Sequence, residues 1–88
     1  MRTYVFYRSN TEDEKDLRDF LHNLKLEGEE DSVKLKDINT RDGDADAKLY
    51  GVDRYPTVVT VANDGQMIRT WDGTLPLVRE LTFYLRQH

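Results

Sequence analysis

The chain has 88 residues, which fits one domain. Its formal charge of −4, from 13 basic and 17 acidic residues, argues against nucleic acid, whose phosphates need a basic face. It contains no cysteine, so disulfides, thiolate metal sites and thiol nucleophiles are excluded. No apolar run approaches the roughly 18 residues of a membrane span. The first residues read as a strand and lack the basic start and apolar stretch of a leader. The expectation is a cytoplasmic protein with neither a membrane nor a nucleic acid as its partner.

Thr3-Tyr4-Val5-Phe6-Tyr7 is a β-branched and aromatic run without polar alternation, the pattern of a central strand buried on both faces. Arg8-Ser9-Asn10 leads out of it. Thr11 then opens a helix, and Thr11-Glu12-Asp13-Glu14 has the form of a capping box. The three acids complement the helix dipole. Leu17, Phe20, Leu21 and Leu24 make one apolar stripe, and Glu14 and Arg18 form an i,i+4 pair. The helix should end near Leu26, before Gly28.

Val33 to Ile38 alternates, with Val33 and Leu35 facing in and Lys34 and Lys36 facing out, as an edge strand does. Asn39 to Asp44 reads as a polar turn. A short helix, Ala45 to Tyr50, is capped by Asp44, with Gly51 placed to end it. Thr57 to Ala62 is a third strand. Asn63-Asp64-Gly65-Gln66 supplies a hairpin turn, and Met67 to Trp71 is the fourth strand. Thr74 caps a last helix with Pro76 in its first turn. Leu77, Val78, Leu81, Tyr84 and Leu85 make its apolar face. The order is β-α-β-α-β-β-α. A right-handed crossover makes the first two strands parallel.

Several residues invite a chemical role. The cluster Asp37, Asn39, Asp42, Asp44 and Asp46 invites a calcium reading, and Asp42-Gly43-Asp44-Ala45-Asp46 has the alternate acids of a calcium loop. Ala47 stands where that loop needs glycine, and its final glutamate is missing, so turn chemistry accounts for the acids and no metal site is expected. His22 and His88 lie at opposite ends of the chain and lack a third ligand or a nucleophile. Trp71 reads as a core residue of the fourth strand or as an aromatic anchor for a partner.

The element order, with Tyr50-Gly51-Val52 and Tyr55-Pro56-Thr57 ahead of an apolar strand, resembles the thioredoxin superfamily. Leu35 to Asn39 looks like the end of its second strand, and Ala47 to Val52 like its next helix and turn. The Asp64-Gly65 hairpin and Gly73 also sit where that family has them. The resemblance spans essentially the whole chain and is nearest the glutaredoxin-sized form. It implies an α/β fold with a four-stranded mixed sheet in the order 4-3-1-2. The first and last helices would lie on one face and the middle helix on the other.

It also implies a cis Tyr55-Pro56 bond, at which the backbone before the proline pairs with an extended ligand. Without the resemblance, Pro56 reads simply as a shaper of the turn into the third strand. The family's redox members carry Cys-x-x-Cys where this chain has Thr11-Glu12-Asp13-Glu14. Thiol exchange is therefore absent, and the acids disfavour an anionic ligand there. Glutathione transferases use a hydroxyl near this place, and Tyr7, Ser9 and Thr11 are the hydroxyls available. The transferase architecture needs a second helical domain that 88 residues do not hold. The expected function is a redox-inactive binding module for a protein or peptide, without catalytic residues or cofactor. Its groove would be lined by Ser9, Asn10, Thr11, Tyr55, Pro56, Asp72 and Gly73. The rival expectation is a degenerate thiol- or glutathione-linked redox protein.

Overall fold

The computed structural model of the chain describes residues 1–87. The elements run β1 (Arg2–Tyr7), α1 (Glu12–Leu26), a 3₁₀ turn (Glu30–Ser32), β2 (Val33–Asp37), α2 (Arg41–Leu49), β3 (Thr57–Val61), β4 (Met67–Trp71) and α3 (Val78–Gln87). The fold is α/β, with one mixed sheet of four strands. Its order is β2-β1-β3-β4, which counted from the β4 edge is 4-3-1-2. β1 pairs parallel with β2 and antiparallel with β3, and β4 pairs antiparallel with β3.

Two cores follow from the pleat of β1. Val5 points to the side where Leu17, Phe20 and Leu24 of α1 meet Val58 of β3, Trp71 of β4 and Leu81 of α3. Tyr4 and Phe6 point to the other side and pack with Ala47, Val52, Val59 and Val61. The apolar runs of β1 and β3 are thus buried on both faces because helices cover both. Phe6, Leu24 and Leu81 are fully buried, each worth about 1.5–3 kcal/mol relative to exposure.

Both α1 and α2 end in the same glycine turn. Gly28 N–H bonds Lys25 O and Glu29 N–H bonds Leu24 O; Gly51 N–H bonds Lys48 O and Val52 N–H bonds Ala47 O. Gly28 and Gly51 have φ of 73° and 69°, the left-handed conformation this turn requires.

The helix starts depart from the sequence expectation. The cap of α2 is Thr40, not Asp44. The Thr40 hydroxyl accepts from Gly43 N–H at 3.1 Å and donates to Asp37 O at 2.7 Å. The expected polar turn is therefore already helix, and Asp42, Asp44 and Asp46 are spread around it. Asp44 pairs with Lys48 at 3.0 Å and Asp46 with Lys36 at 2.9 Å. Among the described residues, no three histidine or acidic side chains gather as a metal would need. At α1 the Thr11 cap holds, but its hydroxyl takes Asp13 N–H at 3.2 Å, and no side-chain bond from Glu14 closes the box. Nor does an ion pair join Glu14 to Arg18 among the described residues. Helix α3 begins only at Val78. Leu77 O receives Glu80 N–H and Leu81 N–H, so Thr74 does not cap it.

β2 is an edge strand, but Lys36 does not point to open solvent. It reaches Asp46 of α2 and lies 5.5 Å from the Tyr4 ring centroid. Leu35, expected inward, keeps 43% of its surface exposed at the sheet margin. Trp71 belongs to the core, edge-on to Tyr84 at 5.5 Å. His22 is exposed on α1; His88 lies outside the described residues. Among the described residues, no helix is long and apolar enough to cross a membrane.

Candidate functional site

The C-terminal ends of β1 and β2 lie side by side because the strands are parallel. The loops that leave them therefore meet. After Tyr7 the chain passes Arg8, Ser9 and Asn10, the last at φ 61°, and enters α1. The Thr11 hydroxyl donates to Arg8 O at 2.7 Å, which closes the loop. Arg8 folds back on the helix it precedes. Its Nε donates to Asp13 Oδ2 at 3.2 Å, and its main-chain N–H reaches the same oxygen at 3.4 Å. The guanidinium also stands 5.8 Å from the Tyr55 ring centroid, so one side chain links the β1–α1 loop to the segment before β3. Asp13 is buried under this pair.

On the other side, the Asp37 carboxylate receives Ser9 N–H at 3.2 Å and Asn39 N–H at 3.0 Å. Asn39 Nδ2 donates to Ser9 O and Ser9 Oγ, both at 3.0 Å. Burial pushes the Asp37 carboxyl upward, but the hydrogen bonds from Asn39 and Ser9 outweigh it and hold the group below its ordinary value. Tyr7 is raised by burial first, then by Asp37 and Glu14. Its phenol therefore stays protonated through the neutral range and can donate a hydrogen bond, though it is no base.

The Tyr55-Pro56 peptide bond is cis. Tyr55 is half-buried, with its hydroxyl donating to Val52 O at 3.3 Å. Thr57 stitches the next two loops together. Its hydroxyl donates to Arg54 O at 2.6 Å and accepts from Gly73 N–H at 2.9 Å. Pro56 and Gly73 consequently line one cavity of about 290 Å³ with Asp16, Thr74 and Leu75. Among the described residues, the main-chain N–H and C=O of Tyr55 take no hydrogen-bond partner.

The structure thus brings Pro56 and Gly73 together and sets Tyr55 beside Arg8. It does not gather the rest of the sequence-derived groove. Ser9 faces Asp37 and Asn39 of the β2–α2 loop. Asn10 and Asp72 are exposed and do not line the cavity. Thr11 is occupied as a cap. Arg8, Asp16, Asp37, Asn39 and Thr57 carry much of the geometry, and sequence reasoning missed them in this role. No periodicity marks them, because each acts across a chain reversal. The expected field of uncompensated acids at the start of α1 is also modified, since Asp13 is neutralised by Arg8. Among the described residues the arrangement offers hydrogen-bond donors and acceptors, hydroxyl groups and the Arg8 cation.

No protein-family model matches the chain, and no curated protein sequence matches it. A solved structure described as that of a malarial protein is similar, with a TM-score of 0.72 at 15% identity, over 98% of this chain and 93% of that one. A likeness at that identity bears on the fold alone.

Proposed function

We propose that this chain is a thioredoxin-like domain of glutaredoxin size that has no thiol chemistry and acts as a binding module for an extended segment of a protein or peptide. Four features support the fold reading: the element order, the two central strands, the helices divided between both faces, and the cis proline at the head of β3. The observation that carries the function is the unpaired main chain of Tyr55 beside the cavity of Pro56 and Gly73. An extended segment can hydrogen-bond to that backbone while a side chain enters the cavity. Arg8 flanks the site, and the Asp13 carboxylate already balances its charge. The absence of cysteine removes thiol–disulfide exchange as the purpose of the site.

The test has two arms. Purified protein is assayed for reduction of insulin and of hydroxyethyl disulfide, and its amides are followed by NMR during titration with glutathione. The expected result is no turnover above a blank and no shifts grouped at Thr11, Tyr55 and Asp72. Turnover above the blank, or shifts grouped there, would establish the glutathione-linked alternative. Partners recovered with the wild-type chain should be lost with Thr74→Trp, which fills the cavity from an exposed position. Retention of every partner by that variant refutes the groove.

A further inference from the structure

A second cleft lies between β4 and α3 and shares no residue with the cavity at Pro56. Arg69 and Trp71 are two apart on β4, so both side chains stand on the α3 side of the sheet. The Arg69 guanidinium is 4.9 Å from the Trp71 ring centroid and 5.5 Å from that of Tyr84, and its Nη1 donates to Tyr84 Oη at 2.8 Å. The cation is therefore fixed by aromatic planes and one hydroxyl, with most of its donors unused. A cleft of about 370 Å³ opens beside it, lined by Arg69, Arg79, Glu80, Phe83 and Tyr84. Phe83 keeps 60% of its surface exposed. Among the described residues Arg69 and Arg79, like other surface cations of the chain, have no carboxylate partner, so their charge is open to a ligand.

Two arginines against one glutamate leave this cleft positive on a chain of net charge −4. Its strand, β4, is a sheet edge with no strand on its far side among the described residues. We propose that the β4–α3 cleft docks an extended segment of another protein in which an aspartate or glutamate stands two residues from a large apolar residue, so that both face the cleft. The segment adds to the β4 edge. Its carboxylate takes the open donors of Arg69 and Arg79, and the apolar side chain packs on Phe83. A second copy of this chain is a poor occupant. Arg69 is the central residue of Met67–Trp71, so a two-fold pairing of β4 with itself sets like charges against each other. The other edge, β2, presents the exposed Lys34, which repels the same cleft.

The probe is a dye-labelled six-residue peptide, Glu-Thr-Leu-Thr-Glu-Thr, whose glutamates and leucine share one face when extended. Anisotropy of the dye and emission of Trp71 are followed on the full chain, against a peptide with glutamine in place of glutamate. The glutamate peptide should saturate both signals, with an affinity that falls as salt is added. Arg69→Ala, Arg79→Glu and Phe83→Ser should each weaken it by about tenfold or more. Arg86→Ala, whose side chain is held by Glu27 and Glu29, should leave it unchanged. Arg79 and Phe83 are exposed, so their variants report even if loss of Arg69 disturbs the core beneath it. Equal binding of the glutamine peptide, no saturation up to roughly 1 mM, or indifference to Arg79→Glu overturns the proposal. Sedimentation as a dimer that Phe83→Ser converts to monomer also overturns it, because a second copy then covers the cleft.

Discussion

The two parallel strands each run into a helix, and the two junctions begin with the same device. Thr11 and Thr40 both accept a main-chain N–H of the first helical turn, and both donate at 2.7 Å to the carbonyl three residues back. From there they diverge. The β1–α1 junction has four residues, 8–11, against three, 38–40, in the β2–α2 junction. The longer one includes Asn10 in the left-handed region and sends Arg8 out to Asp13 and Tyr55. The shorter one is pressed shut, because a Cβ on Gly43 would land on the Asp37 carbonyl. Asp37, at its base, also holds Ser9 of its neighbour. The tight loop thus acts as a wall that orders the open one.

The sharpest way to break this contrast is Gly43→Ala. In an ordinary exposed helix the change would add about 1 kcal/mol of stability. Here it should remove about 2–3 kcal/mol, measured by denaturant unfolding, because backbone must move to admit the methyl group. A gain in stability would show that the β2–α2 junction is not tight.

The next effect is that of Asp37→Asn, expected to cost about 1–2 kcal/mol through weakened bonds to Ser9 and Asn39. Its sign with pH is fixed by the lowered value of the Asp37 carboxyl. That contribution is fully present above the ordinary 3.8 and is lost as pH falls from there through the folded value. The wild type should therefore lose more stability than Asp37→Asn as pH drops through that window. Parallel acid curves would remove Asp37 as the link between the loops.

The two caps sharpen the comparison further. Thr40→Ala and Thr11→Ala should each lose about 1 kcal/mol. Amide exchange should quicken around residues 41–44 in the first variant and around residues 8–13 in the second. Spread of the Thr40→Ala effect to Ser9, without the converse, is the signature of a wall and what it supports. The smallest effect belongs to Arg8→Ala. Its side chain is half-exposed, so stability should fall by no more than about 1 kcal/mol. The Tyr55 ring resonances should shift nonetheless. Unmoved resonances would mean that Arg8 does not link the two segments.

Elements with strong local signals were legible in the chain itself. The apolar runs of β1 and β3, the stripe Leu17-Phe20-Leu24, the glycine turns at Gly28 and Gly51 and the Asp64-Gly65 hairpin all depend on neighbours in sequence. The cap of α2 was misplaced because Asp44 and Thr40 are both good N-cap residues. Only the closeness of Asp37 O to Gly43 and Thr40 decides between them. The start of α3 was placed too early for a similar reason. Thr74 and Pro76 suit a helix entrance, but Gly73 N–H is drawn to Thr57 and the chain completes that turn before it coils.

The candidate site was half legible. Tyr55, Pro56 and Gly73 stood out through turn chemistry and family likeness, whereas Arg8, Asp37 and Asn39 look like ordinary polar loop residues. By itself the amino-acid sequence determined the order and kind of the elements, because helix periodicity, strand runs and glycine turns are short-range properties. Tertiary structure alone decided that Arg8 meets Asp13 and Tyr55, that Asp37 braces Ser9, and that Arg69 lies between two rings. Those contacts join residues whose proximity exists only after the sheet has formed, and no local pattern encodes a distance across it.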